Sequence, residues 1–116
     1  MGVSSFSKYE RILNRKDFVN LNRCGKRHHT AHFTVILREN GLGITRLGIT
    51  VSKKTGNAVQ RNRVKRRIRE FFRLHKDDVP IRNDVLIIAK KDACQLDFRQ
   101  VEEELGDFFT DQRSNV

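Results

Sequence analysis

Residues 47–76 read LGITVSKKTGNAVQRNRVKRRIREFFRLHK. Over the first five residues apolar side chains alternate with small or polar ones, which predicts a β-strand. A turn containing a glycine follows. Asn57 then pairs with Gln60 three positions later, which is the pattern of a helix N-cap. The stretch therefore predicts a strand, a turn and a long helix from Asn57 to Lys76.

This predicted helix has two separate faces. At 100° per residue its apolar side chains fall in one arc, which contains Val64, Ile68, Phe71, Phe72 and His75. Its basic and amide side chains fall in another arc, which contains Asn62, Lys65, Arg66, Arg69, Arg73 and Lys76. We expect the first face to pack on a core and the second to meet solvent or a ligand.

The net charge of the 116-residue chain is +10, and it is concentrated in this stretch. Residues 53–76 hold ten basic side chains and one acidic side chain, whereas residues 77–116 hold five basic and ten acidic ones. A surface that only provides solubility interleaves the two signs. The segregation therefore indicates a polyanion-binding surface, with a solvated charged face as the alternative. An anionic membrane is disfavoured, because no Trp or Leu flanks the basic face to insert.

The turn before the helix, residues 53–57, adds a second anion-binding feature. Lys53 and Lys54 precede a helix N-terminus, whose free N–H groups favour a phosphate. The glycine count and the lysine position do not fit a nucleotide-binding P-loop. An ordinary turn with a helix cap is the alternative interpretation.

The rest of the chain completes a small α+β domain, an α/β sandwich with one central sheet. A first helix is predicted from the N-cap Asn14 to Gly25. Residues 33–38 alternate as a strand, and the turn at 40–43 predicts that they pair with residues 47–51 as an antiparallel hairpin. Pro80 follows the basic helix and marks its end. Residues 85–89 form a continuous apolar run, which is typical of a central strand buried on both faces. Asp97 and Gln100 have the spacing of an N-cap and start a last helix.

These elements give the order α-β-β-α-β-α in a single domain over residues 1–116, with residues 1–7 and 111–116 expected to be flexible. Two cysteines make no disulfide framework, and no apolar run approaches the ~20 residues of a membrane span. The N-terminus also lacks the apolar region of a signal peptide. We expect a cytoplasmic protein that does not bind a membrane.

A possible metal cluster is the main competing motif. It comprises Cys24, His28, His29 and His32, and its C-x3-H-H-x2-H spacing is not a standard zinc pattern. Adjacent histidines also point apart in a strand. A metal-dependent nuclease built on these histidines is kept as an alternative. The sequence shows no Ser/His/Asp or Cys/His arrangement of the kind used in nucleophilic catalysis. We interpret Glu102, Glu103 and Glu104 as a solvated helix face.

Aromatic side chains are candidates for stacking on unpaired bases. We assign Phe33 to the core and leave Tyr9 and Phe18 open between stacking and packing.

Residues 47–70 resemble the signature of the bacterial ribonuclease P protein subunit. The motif R-N-R-x-K-R-x-x-R follows S-K-K-x-G-N-A-V, and residues 11–18 are similar to the opening of that family, which ends in D-F. The resemblance spans residues 6–110. It implies a left-handed β-α-β crossover, as in the second domain of a ribosomal protein, although the general rule favours the right-handed form.

The resemblance also implies a function and a set of site residues. A catalytic RNA subunit, which uses magnesium, removes the 5′ leader of precursor tRNA by endonucleolytic cleavage; the protein assists without catalytic residues, cofactor or bound metal of its own and broadens the substrate range. Phosphates of the ribozyme RNA would meet the following residues: Lys53, Lys54, Arg61, Asn62, Arg63, Lys65, Arg66, Arg69 and Arg73.

The leader would lie in a cleft between the first helix and the sheet, lined by Phe18, Asn22 and Ile36. Two positions depart from the family pattern, because Asn22 and Ile36 stand where relatives often carry aromatic residues. A general RNA-binding module shares the charge pattern and is the first rival. DNA binding is disfavoured, because the sequence shows no helix pair typical of a DNA-recognition motif and no dimerisation element.

Overall fold

A four-stranded mixed sheet organises the computed structural model, which describes residues 15–75, 78–79 and 82–114. Its helices are α1 (Arg15–Cys24), α2 (Ala58–Leu74) and α3 (Phe98–Ser114). The strands are β1 (Lys26–His29), β2 (Phe33–Glu39), β3 (Arg46–Val51) and β4 (Asn83–Ala89). Short 3-10 helices at Lys53–Thr55 and Lys91–Gln95 follow β3 and β4. The predicted α+β class, with one sheet and three helices, is confirmed.

Some sequence predictions fall outside the described residues. These are the cap at Asn14, the stop at Pro80, the helix end at Lys76, the aromatic Tyr9 and the flexible residues 1–7 and 115–116. The backbone of 111–114 continues α3.

The predicted hairpin between β2 and β3 is wrong. The strand order is β1-β2-β4-β3, so β4 lies between them. It pairs antiparallel with β2, where Val35 lies opposite Ile87, and parallel with β3, where Ile49 lies opposite the same residue. Strand β4 is apolar on both faces and therefore requires the centre of the sheet, whereas β2 and β3 tolerate positions nearer its edges.

Strands β3 and β4 are joined through α2, which makes the predicted β-α-β crossover. Its left-handed sense stays a prediction. An additional strand, β1, was not predicted and extends the sheet beyond β2, with Arg27 opposite Ile36 and His29 opposite Thr34. Its sequence, Lys-Arg-His-His, lacks the β-branched residues that mark strands.

The main core lies between one face of the sheet and the helices α2 and α3. Phe33, Val35, Val85 and Ile87 contribute fully buried side chains from the sheet. Both helices begin with the predicted caps. Asn57 and Gln60 exchange backbone and side-chain hydrogen bonds of 2.9 Å, and Asp97 and Gln100 do the same at 2.9 and 2.8 Å. The apolar face predicted for α2 is confirmed, since Val64, Ile68, Phe71 and Phe72 are buried.

Two histidines tie α3 to its neighbours. Glu104 accepts hydrogen bonds from Thr30 Oγ1 at 2.5 Å and from the His32 amide at 2.7 Å, and its other oxygen lies 2.7 Å from His32 Nδ1. Burial opposes ionisation of Glu104, but these hydrogen bonds outweigh it and lower its pKa. They hold the turn between β1 and β2 against α3.

The second histidine, His75, ends α2 and stacks on Phe71 with ring centroids 4.7 Å apart. Its Nε2 lies 2.8 Å from Glu102 Oε2, and its Nδ1 lies 3.0 Å from Asp78 Oδ2. The hydrogen bond to Glu102, followed by that to Asp78, raises the pKa of His75 above its ordinary 6.5 despite partial burial. The charged imidazolium therefore joins α2 to α3.

This pair predicts a pH-dependent stability. Because the folded-state pKa is raised, the stabilisation is complete below pH 6.5 and is lost as the pH rises through the folded-state pKa. We expect a loss of about 1 kcal/mol in the free energy of unfolding, since the ring is partly exposed. Urea unfolding of wild type and His75→Gln at pH 5.5 and 8.5 measures it. A wild-type loss equal to that of the variant would contradict the assignment.

Candidate nucleic-acid interface

The exposed face of α2 carries the predicted basic side chains. Asn62, Arg63, Arg66 and Arg69 are exposed along it. Within the described ranges none of these three arginines forms a salt bridge. Uncompensated cations at successive helical turns suit the phosphates of a nucleic-acid backbone, since each contact releases counterions.

The other cations of α2 are partly buried or already bonded to groups within the protein. Arg61 and Lys65 are half-buried at the edge of the exposed face. Arg73 is half-buried and paired with Glu70, so its charge is already compensated. Arg67 donates to the Leu96 carbonyl and therefore holds the start of α3 against α2.

The junction between β3 and α2 continues this basic face. Lys53 and Lys54 lie exposed in the 3-10 turn directly before the Asn57 cap. Beneath them, Thr55 Oγ1 and Arg61 Nε are buried, and neither has a hydrogen-bond partner in the described part of the chain. Polar atoms of this kind are normally satisfied by a ligand or water. We call Lys53, Lys54 and the exposed cations of α2 the basic surface.

On the opposite face of the sheet, side chains beside α1 stay partly exposed, and we call this strip the groove. The strand register aligns four side chains across that face, in the order His29, Thr34, Ile88 and Thr50 from β1 to β3. His29 and Thr50 are exposed and Ile88 is partly exposed, and His29 Nδ1 lies 3.2 Å from Thr34 Oγ1. This row forms the floor of the groove.

Helix α1 crosses the strands and forms one wall of the groove. Near its N-terminus Asp17 accepts from Arg46 of β3 at 3.2 Å. Near its C-terminus Asn22 Oδ1 accepts from Arg27 of β1 at 3.4 Å. Leu21 is buried between these two points against the sheet. The groove therefore runs along α1 from the β3 edge to the β1 edge.

Arg46 pairs with Asp84 and Asp17, Asn40 donates to Asp84, and we call these four residues the clamp. Its Nε and Nη2 donate to both carboxylate oxygens of Asp84 at 2.8 and 2.7 Å. Asp84 is only 7% exposed and also accepts from Asn40 Nδ2 at 2.9 Å. The hydrogen bond to Asp84 raises the pKa of Arg46 above its ordinary value. The clamp therefore fixes the N-terminal part of α1, which carries Phe18.

The two flanks of α1 differ in charge. Phe18 and Asn22 lie on the groove side of Leu21, whereas Asp17 lies on the other side. That other side borders a cavity of about 200 Å³ whose lining includes Asp17, Glu39 and Asp84. Arg38 and Arg46 also line it, but Arg46 is already paired with Asp84 and Asp17, so the three carboxylates leave the lining net negative and disfavour phosphate there. The groove is therefore the better candidate for a strand of RNA.

Three predicted cleft residues have different surroundings. Phe18 is half-buried and packs against the cluster of Leu21, Ile36 and Leu86, so its ring lies at the groove wall. Asn22 is exposed, with its amide donating to the Phe18 carbonyl at 3.1 Å. Ile36 is 0% exposed, and the prediction that it lines the cleft surface is wrong.

The burial of Ile36 has a simple cause. Its Cγ2 lies so close to Gly25 that a Cβ there would collide with it, and Leu21 covers it from the same helix end. Ile36 therefore supports α1 from below and has no surface for a ligand.

The histidines of the alternative metal motif do not converge. His28 lies on the α3 side of β1 and meets the edge of Phe108, with ring centroids 5.4 Å apart; burial, with Lys26 nearby, lowers its pKa. His29 lies on the groove side, His32 is paired with Glu104, and Cys24 is exposed on α1. Among the described residues no group of three or more His, Cys, Asp or Glu side chains is placed to hold a metal ion.

Comparisons with known proteins agree with this architecture. A family model described as Ribonuclease P matches residues 6–112. This chain belongs to the Ribonuclease P protein family. The ribonuclease P protein component of Syntrophus aciditrophicus is 46% identical over 112 residues, covering 97% of this chain and 94% of that protein. The component of a Geobacter species is 49% identical over 110 residues, covering 94% and 93%.

Solved ribonuclease P proteins have the same fold. The protein from Thermotoga maritima superposes with a TM-score of 0.80 at 36% identity, covering 86% of this chain and 94% of that one. One from Staphylococcus aureus gives 0.77 at 37% identity, covering 83% and 88%. None of the helices in the described ranges has the length and hydropathy that a bilayer crossing requires.

Sequence reasoning missed the groove floor and the clamp. His29, Thr34, Ile88 and Thr50 come from four strands, and only the strand register aligns them. The available signal was the polar side of each alternating strand, which includes Thr34 and Thr50. Arg46 and Asp84 gave no local signal, because their contact joins residues 38 positions apart.

Proposed function

We propose that this chain is the non-catalytic protein subunit of ribonuclease P in the cytoplasm. It binds the catalytic RNA through the basic surface and holds the 5′ leader of precursor tRNA in the groove beside α1. The observation that carries the proposal is the set of exposed cations on α2 that have no salt-bridge partner among the described residues and continue into Lys53 and Lys54, in a member of this family.

The basic surface acts by lowering repulsion between two polyanions. Each Lys or Arg near a phosphate replaces condensed counterions and reduces the local negative potential. Magnesium would be held by the RNA, where it would supply the chemistry of phosphodiester hydrolysis. The protein residues bind, screen and orient, and Arg63, Arg66 and Arg69 are the exposed side chains that do so on α2.

The groove suits an unpaired strand rather than a duplex. Phe18 offers one aromatic ring at the wall, and His29 and Thr50 offer hydrogen-bonding groups on the floor. Asn22 provides an amide where relatives often carry a second ring, so this chain relies on one stacking site and hydrogen bonds. Neither feature selects a base sequence strongly.

The proposal is tested by reconstituted cleavage of a precursor tRNA at low magnesium concentration. We expect the catalytic RNA to cleave faster with the full chain than without it. Phe18→Ala should reduce the ratio of precursor to mature tRNA affinity by about tenfold, since one stacked base contributes about 1–3 kcal/mol.

The matched control is Val19→Ala, because Val19 is the next residue of α1 and is 44% exposed away from the groove. No stimulation by the wild-type chain would contradict the proposal and favour a general RNA-binding module. Cleavage by the protein alone, abolished by His32→Ala, would favour the metal-dependent nuclease. A Phe18→Ala variant that loses only thermal stability would make Phe18 a core residue.

A further inference from the structure

The groove ends at the β1 edge, where the register places two side chains on its floor side. Arg27 lies opposite Ile36 and His29 lies opposite Thr34, so both point to the face that carries α1. Lys26 and His28 alternate with them and lie on the α3 face. Arg27 and His29 are exposed, and Arg27 touches the Asn22 amide oxygen of α1 at 3.4 Å.

Arg27 has spare capacity for a ligand. In the described ranges it forms no salt bridge, and its hydrogen bond to Asn22 uses one of the five N–H donors of a guanidinium. His29 contacts Thr34 through Nδ1, which leaves Nε2 for a second partner. A cation held by one amide contact beside an imidazole can grip a phosphate with two donors.

The β3 end of the groove indicates the order in which an RNA strand would meet the side chains of the groove. Lys53, Lys54 and the N-terminus of α2 follow the end of β3, beyond Thr50. Four strands about 4.8 Å apart put β1 roughly 14 Å from β3. A strand that leaves RNA docked on α2 therefore enters at β3, passes Phe18 and Ile88, and reaches β1 last.

The neighbouring helix α3 restricts this path. Glu103 and Asp107 are exposed on α3, which packs under β1 through Phe108 and His28. Because Arg99 pairs with Glu103, Asp107 is the carboxylate that disfavours phosphate on that side of the edge strand. The groove side, with Arg27 and His29, is thus the favourable exit.

We propose that Arg27 and His29 form a phosphate-binding subsite for leader nucleotides farthest from the cleavage point. This proposal rests on the proposed function and adds a second contact to the groove, at β1. The alternative is that the charge of Arg27 only prevents the exposed edge strand β1 from pairing with a strand of another chain, as charged residues on sheet edges do. The two interpretations differ in their dependence on leader length.

The test uses holoenzyme reconstituted from the full chain and the catalytic RNA, with precursor tRNAs whose leaders are shortened one nucleotide at a time. Arg27→Gln should weaken binding of the longest leader about threefold and lower its salt slope by about 0.7, the value for one single-strand phosphate contact. This loss should disappear when the leader no longer reaches β1. Arg27→Lys should restore part of the affinity.

The matched control is Lys26→Gln, which removes the same charge from the adjacent residue on the other face of β1. We expect it to bind every leader as wild type does. Equal losses in both variants, a loss by Arg27→Gln at every leader length, or no loss at all would each overturn the subsite. If wild type itself ignores leader length, the proposed function fails; if wild type responds and Arg27→Gln matches it, only the subsite fails.

Discussion

A triple variant with Arg63→Gln, Arg66→Gln and Arg69→Gln should bind the catalytic RNA at least about a hundredfold more weakly at physiological salt. These three side chains are exposed and unpaired among the described residues, so each is free to contact one phosphate. Loss of three contacts should lower the slope of log affinity against log salt by about 2.7. The measurement is RNA binding across a salt series, with thermal melting to check that the variant is folded.

Two controls separate charge from position. Arg99→Gln removes an exposed arginine from α3, where it pairs with Glu103, and should change RNA affinity little. Lysine in place of the three arginines should retain most of the slope, because lysine keeps the charge but loses two-donor contacts. An unchanged slope in the triple Gln variant would show that this face of α2 meets only solvent.

Arg46→Ala should lower the free energy of unfolding by about 3 kcal/mol. Arg46 holds both oxygens of Asp84, which is 7% exposed, and removing one partner of a buried pair leaves the other charge without compensation. The same change removes the contact between Arg46 of β3 and Asp17 of α1. Urea unfolding measures the first effect, and the ratio of precursor to mature tRNA affinity measures the second.

The double variant Arg46→Met and Asp84→Leu distinguishes these effects. Replacing both members of a buried pair by apolar side chains of similar volume is often neutral for stability. We therefore expect most of the stability to return, while discrimination of precursor tRNA stays reduced because the contact between Asp17 and Arg46 is still missing. A double variant with normal discrimination would mean that the clamp does not position Phe18.

The sequence was informative where the relevant contacts are local. The caps of α2 and α3 join residues three positions apart, and the burial of Val64 and Ile68 follows from helical periodicity, so both were predictable. The exposure of Arg66 and Arg69 follows from the same periodicity, whereas Arg63 was indicated only by the family resemblance. Their role in RNA binding stays a prediction.

Long-range pairing was not predictable from local patterns. The turn at residues 40–43 is compatible with a hairpin, and only the demand of β4 for two partners separates β2 from β3. Likewise, alternation shows that Ile36 and Thr34 share a face of β2 but does not show which one α1 covers. Close approach at Gly25 decides that Ile36 is buried.

The late position of β4 in the chain has a consequence for biosynthesis. Strands β2 and β3 leave the ribosome well before residues 83–89, which hydrogen-bond to both of them. Between β3 and β4 the growing chain adds the most cationic segment, residues 53–76. Its charges repel one another until folding or bound RNA offsets the repulsion. Nascent chains therefore expose the two strand edges that pair with β4 until residues 83–89 emerge, and RNA is a polyanion able to shield the cationic segment during that interval.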